Sequence, residues 1–267
     1  MRRSFALAVL WALFGCDQRL APDLPAQLSV PVMARTAEIP TTAEGFLAEL
    51  SPLAAPAVRV VYDVNGPTGL TGTLEVLLGR GGLRRENWSL DVEVDGEPVP
   101  FQGSTVQTPE AIFTTGPQGQ AVAAVPLRRL AEAYVAADPA TRSRAVATLR
   151  RLHASVAVAD FDTAPQTDTL LGITCRRMRL ASQDLCMWDG TGLPLRYTGD
   201  AFQLHAVRVE LDPDLTEAAF QIATPAPGPV EGFDANAALQ ALAAGSYGVL
   251  GPWLHPGLRF PDPGAAA

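Results

Sequence analysis

Leu90-Asp91-Val92-Glu93-Val94-Asp95-Gly96 is the stretch whose reading decides the fold. Apolar side chains alternate strictly with acids, which is a period of two: one face buried, the other wet. The run closes on Asp-Gly, a strong hairpin signal. Upstream, Leu74, Val76 and Leu78 alternate within one run. Before it, Val58, Val60, Tyr62 and Val64 alternate with Arg59 and Asp63. Asn65-Gly66-Pro67 and Gly79-Arg80-Gly81-Gly82 mark the turns between the runs. Downstream, Ile112-Phe113 and residues 121–125 add short strands around Gly116-Pro117. Residues 58–125 therefore read as antiparallel β.

The period then changes. Pro126 suits a first helical position, and Leu127, Leu130 and Tyr134 follow as a stripe at helical spacing. Asp138-Pro139 stops that helix and starts another, with Asp as N-cap and Pro at the first turn. Val146, Leu149 and Leu152 form the second stripe. Arg128, Arg129, Arg142, Arg144, Arg150 and Arg151 lie on the polar faces, which suits a solvated surface or contact with anionic head groups.

A second β region spans 169–211. The sequence predicts one long strand from Leu170 to Leu180, then 185–188, then 193–197 after Asp189-Gly190-Thr191-Gly192, then 202–211. Beyond Pro225 the chain is rich in Pro and Gly. One short helix is predicted there, Ala235 to Ala244, with Asp234 as N-cap and Gly245 as its stop. Residues from 252 on read as a poorly ordered tail. A first helix or edge is expected near 46–53. Strands, helices and strands again indicate one domain, mainly β within the α+β class.

The N-terminal end carries a different signal. Arg2 and Arg3 precede an apolar run from Phe5 to Phe14, too short to span a bilayer as a stable helix, followed by Gly15 and Cys16. These are the parts of a secretory signal. Leu13-Phe14-Gly15-Cys16 resembles the lipobox of bacterial lipoproteins, which implies cleavage after residue 15 and diacylglyceryl transfer to the Cys16 sulfur. An ordinary cleaved signal with an incidental Cys, and an uncleaved anchor, are the other readings. Each buried CH₂ of an acyl chain contributes about 0.8 kcal/mol. Asp17 resembles the inner-membrane retention signal of enteric bacteria; the choice of membrane stays open. Residues 16–43, with Pro22, Pro25, Pro31 and Pro40, read as a tether.

Composition narrows the function classes. The 267 residues are 48% apolar with a net charge of −8, and contain no Lys. Loss of residues 1–15 removes two Arg and no acid, carrying the net charge to −10. An acidic chain without clustered cations is a poor binder of nucleic acid. Beyond Cys16 there are two cysteines, Cys175 and Cys186. An even pair in an exported chain suggests a disulfide. Its loop of about twelve residues would contribute up to roughly 3 kcal/mol. Free thiols and a metal site are the alternatives, the latter without a neighbouring His or further Cys.

Catalytic patterns are sparse. His153, His205 and His255 are far apart, and no His-x-x-x-His or Cys-x-x-Cys occurs. Ala244-Gly245-Ser246-Tyr247-Gly248 nearly matches the Gly-x-Ser-x-Gly nucleophile elbow, but an elbow needs a strand before and a helix after it. Asp160, Asp162 and Asp168 could supply paired carboxylates, though loop acids are usually just solvated, and Asn87-Trp88-Ser89 matches a glycosylation sequon. No Walker loop or dinucleotide fingerprint is present. A non-catalytic role without cofactor or metal is expected.

Three parts together carry a family resemblance. They are Tyr62-Asp63-Val64-Asn65-Gly66 with Gly72-Thr73-Leu74-Glu75-Val76; Leu171-Gly172-Ile173-Thr174-Cys175 with Cys186-Met187-Trp188 and Gly192-Leu193-Pro194-Leu195; and the helical segment between them. The chain resembles the LolA/LolB-like superfamily of periplasmic lipoprotein carriers over roughly 45–225. The resemblance implies a single curved antiparallel sheet, an incomplete barrel covered by the two mid-sequence helices, over 44–225. Residues 226–267 would then be a C-terminal extension. It also implies a hollow holding lipid or the acyl chains of another lipoprotein. Leu127, Leu130, Tyr134, Val146 and Leu149 would line the lid. Leu74, Val76, Leu90, Val92, Val94, Leu195 and Val207 would line the sheet. The competing expectation is a filled core in a structural or sensory envelope protein that acts through protein–protein contacts.

Overall fold

The computed structural model describes residues 38–246, except 51–56, 68, 95, 118, 159–165, 181–182, 189–190, 192, 212, 214, 216 and 222–229. Cys16, the tether up to residue 37, Asp160, Asp162, Tyr247, Gly248, His255 and the tail lie outside the described residues. So do the side chains of Val94, Leu152 and His153.

Eleven strands form one antiparallel sheet. The first meander comprises β1 (Ala57–Asn65), β2 (Thr71–Gly79), β3 (Arg84–Val94), β4 (Glu97–Gln107), β5 (Ala111–Gly116) and β6 (Gly119–Ala124). The second comprises β7 (Gln166–Leu170), β8 (Ile173–Leu180), β9 (Gln183–Trp188), β10 (Leu193–Thr198) and β11 (Gln203–Leu211). Pairing of β1 with β11 joins the two, so the order runs from β6 through β1 and β11 to β7. The ends, β6 and β7, do not pair with each other, and the sheet stays open. Helices α2 (Leu127–Ala136) and α3 (Pro139–Val158) leave one sheet edge and return the chain to the other. Helix α1 (Ala43–Leu50) precedes the sheet and α4 (Ala235–Ala243) follows it.

The caps are largely those read from the sequence. Asp138 Oδ1 accepts from the Thr141 N–H at 2.9 Å, opening α3. Asp234 Oδ1 accepts from Asn236 and Ala237 N–H, opening α4. Pro126 sits one position earlier than predicted, as the residue before the helix.

Two strand predictions need correction. Leu170–Leu180 is not one strand: Leu171 and Gly172, at φ 54° and 75°, turn the chain between β7 and β8. Two successive left-handed residues make the tight hairpin that matches strand twist. Val207 does not line the core. Val61 pairs with Arg208 and Tyr62 with Ala206, so Val207 is the extra residue of a β-bulge. The bulge changes the phase of alternation. Leu204 and Ala206 are buried before it and Val209 packs inward after it, while Val207 is 42% exposed.

Burial divides into two principal cores. The sheet core contains Val58, Val60, Tyr62, Val64, Leu74, Val76, Trp88, Leu90, Leu193, Leu195 and the Cys175–Cys186 pair. The helical core contains Phe46, Leu127, Leu130, Tyr134, Val146 and Leu149 with Phe233, Leu239 and Leu242. A small third cluster, Leu77, Val106 and Phe220, sits on the opposite face of β2–β4.

Candidate functional site

The expected lid and sheet residues do not meet as one hollow. Leu127, Leu130, Tyr134, Val146 and Leu149 are all buried, but against α1 and α4. Phe46 stacks on Tyr134 with ring centroids 4.2 Å apart, and Tyr134 Oη donates to the Pro40 carbonyl at 2.7 Å. Arg150 ties α3 to α1 through Glu49, with donor–acceptor distances of 2.6 and 3.1 Å. Leu74, Val76, Leu90 and Leu195 are buried together in the sheet core, and Val92 is half-buried beyond them. Among the described residues no helix side chain belongs to that sheet core. The physical reason is the partner supply: Leu239 and Leu242 of α4 and Phe46 of α1 provide the apolar surface that the α2 and α3 stripes need. The C-terminal helix is thus part of the helical core rather than an appendage.

The sheet core has a polar margin that the sequence reading missed. In an antiparallel pair, opposed residues share a face. Leu74 opposes Trp88, Val76 opposes Glu86 and Leu78 opposes Arg84. Arg84 and Glu86 therefore stand on the core face, with Arg84 Nε donating to Glu86 Oε1 at 2.6 Å. The signal was present: the alternation of β3, carried back from Leu90, passes through Trp88, Glu86 and Arg84. Tyr62 lies near enough to feel both charges. Burial is the largest influence and raises its phenol pKa well above the ordinary value; Arg84 lowers it and Glu86 raises it further. Trp88 rests on Gly103, which opposes it, and a Cβ at 103 would meet Trp88 Nε1 at 2.5 Å. Only glycine admits the indole there.

The opposite face carries a ladder of charge. Arg59 Nε donates to Glu75 Oε1 at 2.7 Å, Asn87 to Glu75 Oε2 at 2.8 Å, and Arg85 to Asn87 Oδ1 at 3.0 Å. Arg85 also donates to the Ala219 carbonyl, and Glu210 reaches Arg59. These side chains floor two shallow grooves of about 680 and 480 Å³. Glu75 is pushed up by partial burial, but the Asn87 hydrogen bond and Arg59 outweigh this, and its pKa is net lowered. The Glu75 carboxylate is held ionised by Asn87 and Arg59, which suits cross-strand support rather than proton transfer.

Cys175 and Cys186 are disulfide-bonded across β8 and β9, with Cα atoms 5.3 Å apart and both residues fully buried. Asp168 is not a loop acid; it stands on β7 and accepts from Arg196 at 3.1 Å. His205 is exposed on β11. Among the described residues no group of three His, Cys, Asp or Glu side chains forms a metal-binding cluster. Among the same residues no helix is long and apolar enough to cross a membrane. Comparison with known protein families finds no family that matches the chain, and comparison with curated proteins finds no matching relative.

Proposed function

We propose that the chain is a lipoprotein of the bacterial envelope, anchored through Cys16 and facing the periplasm, that binds an acyl chain on the core face of a LolA/LolB-like half-barrel without catalysis. One observation carries the reading. A single unclosed antiparallel sheet bears a continuous apolar face across β1–β3 and β8–β11, while the helices pack in a separate core that takes in Ile112 of β5. A face of this breadth and apolar character would suit an alkyl chain.

A second reading is favoured by a different observation. Leu74, Val76 and Leu195 are already 0% exposed, as in a filled core that acts only through its outer surface.

The experiment uses the chain from Asp17 on, exported behind an ordinary cleavable signal in place of residues 1–16. The core residues in every described cluster lie beyond residue 38, so this chain keeps both main cores. Protein recovered from the periplasm is extracted and its lipids are analysed by mass spectrometry. The carrier reading expects acylated lipid in stoichiometric amount. Protein that is empty, and that also takes up no fluorescent acyl ester, supports the filled-core reading. Incorporation of labelled palmitate by the full chain, lost in Cys16→Ser, tests the anchor.

A further inference from the structure

Tyr62 Oη and Trp88 Nε1 are buried on the core face with no hydrogen-bond partner among the described residues. The register places them in one row: Tyr62 opposes Leu74, and Leu74 opposes Trp88. They stand two strand spacings apart, roughly 10 Å between backbones. An unmet buried polar group is costly, and native structures tolerate few of them. Two in one row therefore point to an occupant.

The chemistry of the row selects the occupant. Trp Nε1 only donates, and the Tyr hydroxyl donates readily. Both are neutral. Leu90, Phe101 and Val76 around them are apolar core. The nearby guanidinium of Arg84 is already matched by Glu86, so the row offers hydrogen bonds but no net positive charge. Burying an ionised carboxylate in such a place costs far more than two neutral donors return. An ester carbonyl carries no charge to desolvate. Arg84 and Glu86 keep 23% and 16% of their side chains exposed, so the row has a wet margin from which a polar group can be reached.

We infer that Tyr62 Oη and Trp88 Nε1 are each a subsite for an ester carbonyl of an acylated ligand, and that they discriminate against ionised free fatty acid. The inference rests on the acyl-binding reading above. A buried water would meet the same donors and is the competing occupant.

The test uses the chain from Asp17 on, loaded with the apolar dye N-phenyl-1-naphthylamine. Displacement is measured with methyl dodecanoate, with dodecanoate at pH 8 and with tridecane. The ester displaces at the lowest concentration and the carboxylate at the highest. Tyr62→Phe, which keeps the ring, lowers the ester-over-alkane preference about 2- to 10-fold, the loss of one hydrogen bond. It lowers ester affinity more than dye or alkane affinity, and its Tm is at or above that of the parent. Trp88→Phe lowers the preference in the same direction. An unchanged preference in both variants means the donors hold water only and overturns the inference, with the carrier reading intact. A carboxylate preferred over the ester overturns it too. Uptake of none of the three ligands overturns the carrier reading and this inference with it.

Discussion

Glu75 sits at the middle of the outer ladder, accepting from Arg59 on β1 and Asn87 on β3 at once. Its pKa is lowered below the unfolded value of 4.5. A carboxylate depressed by folding contributes stability that is present above the unfolded value and lost as pH falls through the folded one. Thermal unfolding followed from about pH 6 to about pH 3 should show the parent losing this contribution. Glu75→Gln should start less stable and lose less, so the two curves approach each other in acid. Parallel curves would show that the ladder does not stabilise the fold. In the helical core, Leu130 is fully buried among α1, α2 and α4 residues. Leu130→Ala should cost about 2–5 kcal/mol in denaturant unfolding, because a site closed on several sides collapses poorly. Alternation exposed residues such as Leu74 and Leu90 as core because their neighbours Glu75, Ser89 and Asp91 face water. It misplaced Val207, since one bulged residue reverses the phase without changing the composition of the strand.

At the scale of elements, the legible pieces were those with local chemistry. Asp138 and Asp234 announce α3 and α4, and Asp-Gly announces the β3–β4 hairpin. Strand β4 was harder to read, because Pro98 and Pro100 interrupt its pattern. The ladder explains their tolerance: β4 pairs with β5 only from Ser104 to Gln107, so both prolines lie where one edge is free. The β7–β8 turn was hidden because Leu171, not Asn, occupies its first left-handed position. Leu171 is 51% exposed, so its side chain contributes little packing. Leu171→Asn should therefore relieve the backbone and raise stability by about 1 kcal/mol; an unchanged or lowered Tm would speak against that turn. Asp234→Ala should lower global stability by about 1 kcal/mol. Helix α4 supplies Leu239 and Leu242 to the helical core, so the loss should appear in the main unfolding transition. A separate early transition would instead mark α4 as an appendage.

For the whole molecule, the topology follows from two meanders joined at β1 and β11, with the helical crossover placed between the sheet's free edges. The order β, αα, β along the chain indicated one sheet with inserted helices. It did not reveal which apolar stripe meets which, because periodicity reports that a face is buried and not what buries it. Hence the α2 and α3 stripes, expected over the sheet, turned out to be shared with α1 and α4. The site was legible only in part for the same reason. The apolar residues of β2, β3 and β10 were readable, whereas Tyr62, Trp88 and the Arg84–Glu86 pair acquire meaning only from cross-strand register. Together they make an apolar face with two buried donors and a charged but neutralised margin. That combination suits a long chain with one uncharged polar group.

Occupation of that face is measured most directly by photolabelling. An acyl ester bearing a diazirine in its chain is incubated with the chain from Asp17 on, irradiated, and the adducts are mapped by peptide mass spectrometry. Adducts are expected on core-face residues of β1–β3 and β10–β11, with Leu74, Val76 and Leu195 among them, and are reduced by excess unlabelled ester. No adduct, or adducts confined to the outer face around Arg59, Glu75 and Arg85, would contradict the account.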